Sequence, residues 1–237
     1  MTNTSQAYQL NYFHNFQRQS ILARDTPYIR RHLEQVMTAT GFQPGQRLLE
    51  LGAGMGRFSR LLAIQGAEVV ANDLSAELLA NIPLDETEGR IRTLACHVAE
   101  LPQHIDAPFE RAVGFFMLHH MSNLVETFQA LGHCLLPGAR VAFCEPNAYS
   151  PLFPLQIALT PGMTWKGESG IFDMRPPVLL KAMAQAGFQD IRIRRYGFFP
   201  PFLANRHWGR ALETHLENLS WLEPLRSFQI IAARWPD

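Results

Sequence analysis

Apolar residues between positions 41 and 147 recur in short runs, and amphipathic stretches separate each run from the next. Apolar residues at helical spacing predict three helices, over Gly56–Gln65, Ser75–Ala80 and Leu124–Leu136. The short runs predict five strands, over Arg47–Leu51, Glu68–Asn72, Ile91–Cys96, Arg111–Phe116 and Ala139–Glu145. Strands that alternate with helices imply a mostly parallel sheet with helices on both faces, which is an α/β fold.

The two ends of the chain continue this pattern. Tyr8–Thr40 has apolar residues at helical spacing, and Gly41 supplies a helix stop. Toward the C-terminus the pattern predicts helix, strand, helix and strand over Pro176–Ala186, Ile191–Tyr196, His207–Asn218 and Ser227–Arg234. No repeat or linker-like stretch divides the chain, so we predict a single domain.

The balance of charge argues against a polyanionic partner. The 237 residues include 21 Lys+Arg and 21 Asp+Glu, which gives a formal net charge of zero. Proteins that grip nucleic acid usually carry a basic excess, so we expect no nucleic-acid partner.

Cysteine usage and the first residues favour a cytoplasmic protein. Cys96, Cys134 and Cys144 lack CxxC spacing, and an odd number of cysteines fits no closed disulfide framework. The polar start Met1–Gln6 has no signal-peptide pattern. The longest nearly uncharged apolar run, Ala112–Leu118, is too short to span a bilayer, so we expect no membrane span.

The most informative segment is Leu48–Phe58, where an apolar strand runs into a turn with glycines at 52, 54 and 56. Glycines permit positive φ angles and lack the Cβ atoms that would hold a ligand away from the main chain. A dinucleotide fingerprint would read GxGxxG, whereas this turn reads GxGxG with an acid, Glu50, two residues ahead. The turn predicts a ligand site, although glycine-rich turns between strand and helix occur in many α/β proteins.

A second feature lies one strand–helix unit further along the chain, where Asp73 directly follows the predicted strand Glu68–Asn72. A carboxylate at a strand tip can accept hydrogen bonds from both hydroxyls of a ribose. Leu74 offers an apolar surface for an adenine. The alternative is that Asp73 only caps the helix that follows.

These segments resemble successive motifs of class I S-adenosylmethionine-dependent methyltransferases, and are most similar to the small-molecule branch that includes quinone-biosynthesis enzymes. The resemblance implies a seven-stranded, Rossmann-like sheet of order 3-2-1-4-5-7-6 with strand 7 antiparallel, S-adenosylmethionine as cofactor, and a small-molecule methyl acceptor. It divides the domain into an N-terminal helical lid (1–40), a cofactor-binding core (41–147) and an acceptor-side insertion with C-terminal strands (148–237). The segments that carry it are Leu48–Phe58, Val69–Ser75, Ala99–Pro102, Phe109–Met121 and Leu135–Asn147.

The resemblance also implies roles for individual residues. Asp73 would hold the ribose hydroxyls and Leu74 would cover the adenine. Gly114 and Phe115 would face the methionine part through backbone groups. Contacts to the methionine moiety and ribose would come from Glu50, Gly52, Ala53, Gly54 and Gly56.

One position departs from the family pattern. Before Ala-Glu-Leu-Pro the family commonly has Asp-Ala, whose carboxylate accepts from the adenine amino group, whereas this chain has His97-Val98. A neutral imidazole can accept one hydrogen bond, and the Val98 backbone is unaffected. His97 is therefore expected either to contact the adenine or to be a simple surface residue.

Methyl transfer from a sulfonium is an in-line displacement, so alignment is the larger demand on the protein and a general base the smaller one. If a base exists, the candidates are His119 and His120, directly after the fourth strand. A structural or positioning role is the alternative. Neighbouring residues seldom point both rings at one ion, and no HxH or CxxC spacing occurs, so no metal is predicted.

Aromatic residues in three regions suggest an apolar or aromatic acceptor. The N-terminal segment would fold over the cofactor, and a long insertion after strand 5 borders the same sheet edge. The third region is Gly197–Phe202, which follows strand 6. The alternative is that these side chains cover a core edge or form a homodimer contact. The candidate acceptor residues are Tyr12, His14, Glu145, Tyr149, Trp165 and Phe199.

Three rival functions remain. A methyltransferase for RNA or protein would need a basic groove or a recognition domain. A non-catalytic S-adenosylmethionine-binding sensor or partner subunit is compatible with the substitution at His97. A nicotinamide oxidoreductase would need GxGxxG.

Overall fold

The computed structural model describes residues 24–85, 87–159, 164–165 and 168–237. Tyr12 and His14 therefore lie outside the described residues. The strands are β1 Arg47–Leu51, β2 Glu68–Asp73, β3 Ile91–Ala95, β4 Phe109–Phe115, β5 Leu135–Pro146, β6 Gln189–Tyr196 and β7 Phe228–Arg234.

Helices connect the strands. Among the described residues, short 3₁₀ turns also occur at Val98–Glu100, Leu118–His120, Ser169–Met174 and Ser220–Leu225. The α-helices are α1 Pro27–Thr40, α2 Ser59–Ile64, α3 Ala76–Leu79, α4 Leu101–His104, α5 Leu124–Gly132, α6 Leu152–Leu159, α7 Pro176–Gln185, α8 Pro201–Ala204 and α9 His207–Glu217. None of these described helices combines the length and the apolarity needed to cross a lipid bilayer.

The seven strands form one sheet of order β3-β2-β1-β4-β5-β7-β6. Strands β1 to β5 pair in parallel, whereas β7 pairs antiparallel with both β5 and β6. The predicted order and the antiparallel last strand are confirmed. Because β1, β2 and β4 are parallel neighbours, their carboxyl ends meet at one edge, which is where open α/β sheets bind ligands.

Alternating side chains of the sheet enter two cores, one on each face. On β5, Val141 and Phe143 face the core covered by α5 and α7, whereas Ala142 and Cys144 face the core covered by α1 and α2. The three cysteines are free and buried. Because the sheet is buried on both faces, its central strands are nearly continuous apolar runs in the sequence.

Several element boundaries differ from the sequence prediction: α5 ends at Gly132 instead of Leu136, β4 begins at Phe109 instead of Arg111, and β6 begins at Gln189 instead of Ile191. Two further differences have a clear physical reason. The helix predicted from Gly56 begins at Ser59, because the glycine turn with positive φ at Gly52, Gly54 and Gly56 occupies the preceding residues. Strand β5 begins at Leu135 rather than at residue 139. A register shift against β4 at Phe109–Arg111 accommodates the Pro137-Gly138 pair inside the ladder.

Candidate functional site

A cavity of about 220 Å³ opens at the carboxyl edge of β1, β2 and β4. It combines residues that lie far apart in the sequence, from the glycine turn to the segment after β4. Nine of the residues predicted from the sequence line it: Gly52, Ala53, Gly54, Asp73, Leu74, His97, Val98, Phe115 and His120.

The glycine turn forms one wall of the cavity. Gly52 has φ 67°, and a Cβ built on it would lie 2.6 Å from the Met117 Cβ, so only glycine fits there. Gly54 has φ 54° and no heavy atom within 4 Å of the position of a Cβ. The backbone at Gly54 therefore borders open space that a ligand can occupy at close range.

Asp73 ends β2 and faces this turn. Its Oδ2 accepts from the Gly54 N–H at 2.8 Å, and its Oδ1 accepts from the Ser75 N–H at 2.9 Å. The N-cap of α3 is Ser75, whose Oγ accepts from the Leu78 N–H, so Asp73 is not the helix cap. Burial raises the pKa of Asp73, although these backbone N–H groups oppose the shift. A carboxylate has about four acceptor sites, so Asp73 retains acceptor capacity toward the cavity.

Asn72, the residue before Asp73, lines the cavity with an unsatisfied polar atom. Its Nδ2 donates to the carbonyl oxygens of Leu94 and Cys96, which fixes the orientation of the amide. Its buried Oδ1 has no hydrogen-bond partner among the described residues. A buried acceptor of this kind costs free energy unless a ligand or water donates to it.

His97 is the N-cap of the Val98–Glu100 turn, and its Nδ1 accepts from the Ala99 N–H at 3.2 Å. In a neutral imidazole with Nδ1 as acceptor, Nε2 carries the proton. His97 therefore offers a donor to the cavity. This differs from the expectation that its ring would accept from an adenine amino group, and the physical reason is the local cap.

Arg57 and two phenylalanines form the opposite wall. The rings of Phe58 and Phe115 stack at 3.7 Å between centroids and line the cavity. Within the described part of the chain no carboxylate pairs with Arg57. Burial lowers the pKa of Arg57 to about 10, so the guanidinium stays charged at neutral pH and is available to an anionic ligand.

Three predicted cofactor residues support the cavity without lining it. Glu50 is buried and accepts from the Ser59 Oγ at 2.5 Å. A Cβ on Gly56 would lie 2.7 Å from Ile82, and one on Gly114 would lie 2.9 Å from Phe143. All three residues are covered by their neighbours, and their contact with a cofactor stays a prediction.

Glu50 gives a pH-dependent stability that can be measured. Burial raises its pKa to about 8, Asp73 adds to the increase and the Ser59 hydrogen bond opposes it. Because the native pKa lies above the unfolded one, the stabilisation is full below about pH 4.5 and is lost as the pH rises through about 8.

We therefore expect Glu50→Gln to have nearly the wild-type Tm at pH 5 and a higher Tm at pH 9. Each 1 kcal/mol corresponds to about 2–4 °C for a chain of this size, so the difference should reach several degrees. Thermal unfolding of the protein without ligand measures it, and exposed Glu68→Gln controls for the loss of one carboxylate. If the Tm difference between Glu50→Gln and the wild type is the same at pH 5 and pH 9, the raised pKa of Glu50 is contradicted.

A buried polar cluster lies behind the segment that follows β4. Glu145 accepts from the backbone N–H groups of Met117 and Leu118 at 2.8 and 2.7 Å through Oε1, and its Oε2 lies 2.6 Å from the His119 Nδ1. Glu145 is fully buried, so it positions these residues instead of contacting an acceptor as the sequence suggested.

The two histidines of this cluster have different environments. His120 lines the cavity, whereas His119 is buried with its Nε2 3.5 Å from the Glu168 Oε2. Desolvation alone would lower the pKa of His119, but Glu145 and Glu168 outweigh it and raise the pKa to about 9. The two imidazole rings lie against each other, with 3.9 Å between their centroids.

Among the described acceptor candidates, Tyr149, Trp165 and Phe199 do not line the cavity. Tyr149 and Trp165 are 50% and 53% exposed, and the Arg195 guanidinium lies over the Tyr149 ring. Phe199 donates its N–H to the Glu213 Oε1, which fixes the loop after β6. Their contact with an acceptor stays a prediction.

Ten further residues that the sequence did not predict line the cavity: Met55, Arg57, Phe58, Asn72, Ser75, Leu78, Cys96, Phe116, Met117 and Met121. Most of these residues are direct sequence neighbours of a predicted site residue, and this proximity in the sequence could have indicated them. Phe116 adopts φ 57°, a conformation that nothing in its type predicts.

The fold is Rossmann-like, with a cavity at the carboxyl edge of the sheet. The chain belongs to the methyltransferase domain family, whose model matches residues 17–193. It is similar to the ubiquinone biosynthesis O-methyltransferase of Xylella fastidiosa (strain 9a5c), with 34% identity over 119 residues. That match covers 48% of this chain and 47% of the relative, so it spans about half of the relative's length.

Two solved structures have the same fold. Phosphoethanolamine N-methyltransferase 2 of Haemonchus contortus, solved with phosphomonomethylethanolamine and S-adenosylhomocysteine, has a TM-score of 0.62 and 20% identity over 88% of this chain and 53% of that one. The [4+2]-cyclase SpnF has a TM-score of 0.62 and 21% identity over 88% of this chain and 81% of that one. At these identities the likeness establishes the fold alone.

Proposed function

We propose that this protein binds S-adenosylmethionine in the cavity and transfers its methyl group to a small, apolar or aromatic acceptor. Family membership supports the reaction class. The observation that carries the proposal is that an open glycine backbone, a strand-tip carboxylate and a guanidinium that forms no ion pair with the described residues line one cavity.

The chemistry of the lining residues fits the three parts of the cofactor. Asp73 has acceptor sites for two ribose hydroxyls, and Leu74 and Val98 offer apolar surface to an adenine. The Arg57 guanidinium complements the carboxylate of the methionine part. Asn72 Oδ1 supplies an acceptor that a ligand donor can satisfy.

The cofactor carries an activated methyl group, so the protein's work is to hold an acceptor in line and to keep water out. Phe116, Met117 and Met121 form an apolar wall beside the glycine turn, which suits an apolar or aromatic acceptor. Of the two candidate histidines, His120 borders the cavity and can contact an acceptor, whereas His119 acts through its neighbours.

The cellular location and the class of the acceptor are inferred from the cysteines and the net charge. Three free, buried thiols support a cytoplasmic location. The zero net charge supports a small molecule over a nucleic acid as the acceptor.

We expect His97→Asp to bind S-adenosylmethionine about tenfold more tightly than the wild type, because a charged hydrogen bond contributes about 1.5–3 kcal/mol. Aspartate can still cap the Val98–Glu100 turn, and its second oxygen can accept from the adenine amino group. Titration calorimetry measures the change. His97→Asn keeps the cap without the charge, so its affinity for S-adenosylmethionine should lie between those of the wild type and His97→Asp. If His97→Asp binds no more tightly than the wild type, the proposed adenine position is contradicted.

Two measurements test the proposed function. Calorimetry with S-adenosylmethionine and S-adenosylhomocysteine should detect one site per chain, and transfer of labelled methyl groups to phenols, catechols and aromatic amines should identify a turned-over acceptor. Binding without turnover over this panel would favour the sensor alternative. No binding of either nucleoside would overturn the proposal.

A further inference from the structure

We propose that His119, His120 and Glu168 bind a divalent transition-metal ion at the end of the cavity that His120 borders. The metal site is independent of the cofactor assignment, whereas its use in holding an acceptor oxygen rests on the proposed function. The three side chains come from two segments that are separated by almost fifty positions in the sequence, and the fold brings them to one point.

The distances fit a shared ion. Each residue offers one ligand atom, and these atoms all lie within 4.8 Å of one another. The His119 Nε2 and Glu168 Oε2 are 3.5 Å apart. This separation is long for a hydrogen bond. Two ligands at ~2.1 Å from one tetrahedral ion are about 3.4 Å apart.

The surroundings of His119 match those of a metal ligand. A ligating histidine usually directs its other ring nitrogen to a carboxylate, which sets the tautomer and the ring orientation. Here the Nδ1 of His119 lies 2.6 Å from the Glu145 Oε2, so Nε2 is the nitrogen directed toward Glu168. Glu145 is itself fixed by two backbone N–H groups.

The fold holds the Glu168 segment tightly against the histidines. Gly170 lies so close to the carbonyl of His119 that a Cβ on it would be 1.7 Å from that oxygen. Only glycine permits this approach, and Glu168 is two residues earlier. The 3₁₀ turn Leu118–His120 keeps the adjacent rings together at 3.9 Å between centroids.

The donor set indicates which ions bind. Two imidazole nitrogens and one carboxylate oxygen suit Zn²⁺, Fe²⁺, Co²⁺ or Mn²⁺, whereas Mg²⁺ and Ca²⁺ prefer oxygen ligands throughout. Three protein ligands leave a tetrahedral ion with an open position. Since His120 lines the cavity, that position is accessible to water or to a hydroxyl, phenol or carbonyl oxygen of an acceptor.

Cobalt provides a direct test without S-adenosylmethionine. The full chain, treated with a chelator and dialysed, is titrated with Co²⁺ and followed by calorimetry and by the visible absorption of tetrahedral Co²⁺. We expect one ion per chain and displacement by Zn²⁺ but not by Mg²⁺. Glu168→Gln, which keeps the shape of the side chain, should weaken binding by about 100-fold, as should His120→Asn.

His133→Ala removes an exposed histidine outside the cluster and should bind Co²⁺ like the wild type. Thermal unfolding verifies that each variant is folded. Gly170→Ala separates the two segments without removing a ligand, and should also weaken binding. Wild-type protein that binds no Co²⁺, or a folded Glu168→Gln variant with unchanged affinity, would overturn the metal site whatever the outcome with S-adenosylmethionine.

Discussion

An Asp73→Ala variant is expected to bind S-adenosylmethionine about 100-fold more weakly than the wild type, because the ribose hydroxyls lose a charged acceptor whose hydrogen bonds contribute about 1.5–3 kcal/mol in total. The substitution also releases the Gly54 N–H, to which Asp73 Oδ2 is bonded at 2.8 Å. The glycine turn therefore loses part of the order that the binding site requires. Titration calorimetry with S-adenosylmethionine measures the loss.

Two further variants separate the ribose role from a local structural one. Asp73→Asn keeps the size and one carbonyl acceptor, so its affinity should lie between those of the wild type and Asp73→Ala. Glu77→Gln removes an exposed carboxylate four residues away and should leave the affinity unchanged. Wild-type affinity in Asp73→Ala would remove the ribose assignment.

An Arg57→Met variant is expected to lose about 2–5 kcal/mol of S-adenosylmethionine binding while the ligand-free protein becomes no less stable. The reason is that Arg57 is a partly buried cation with no ion pair in the described residues, and burial lowers its pKa to about 10. An unpaired buried charge costs stability, and methionine keeps the apolar stem. Calorimetry and thermal unfolding measure the two quantities.

If Arg57 contacts the ligand, its replacement weakens binding without lowering the Tm, and this combination distinguishes a ligand contact from a structural role. A structural role predicts a lower Tm together with weaker binding. Arg60→Met, in helix α2, which begins two residues after Arg57, and outside the cavity lining, is the matched control and should bind S-adenosylmethionine like the wild type. An Arg57→Met variant that binds normally would exclude the proposed carboxylate contact.

The fold by itself does not decide the reaction, since a [4+2]-cyclase has a TM-score of 0.62 to this chain, equal to that of an N-methyltransferase. The assignment depends on side chains at one sheet edge. Methyl transfer and metal binding are tested by different ligands, so each proposal can fail alone.

Local pattern by itself determined the fold class and part of the site. Apolar runs mark Leu48 and Val69 as strand residues because a sheet buried on both faces requires them, and the glycine turn is visible because positive φ restricts the residue type. The position of Asp73 followed, since a strand tip is a local property.

Only the tertiary structure decided which charged groups meet. Glu168 lies on an insertion far along the chain from His119. The distance between the two side chains depends on how Gly170 packs against the His119 carbonyl. The proton position on His97 depends on one cap hydrogen bond, and the isolation of Arg57 depends on the absence of a carboxylate nearby in the described residues. Spacing in sequence carries no information on such contacts, because long-range packing sets them.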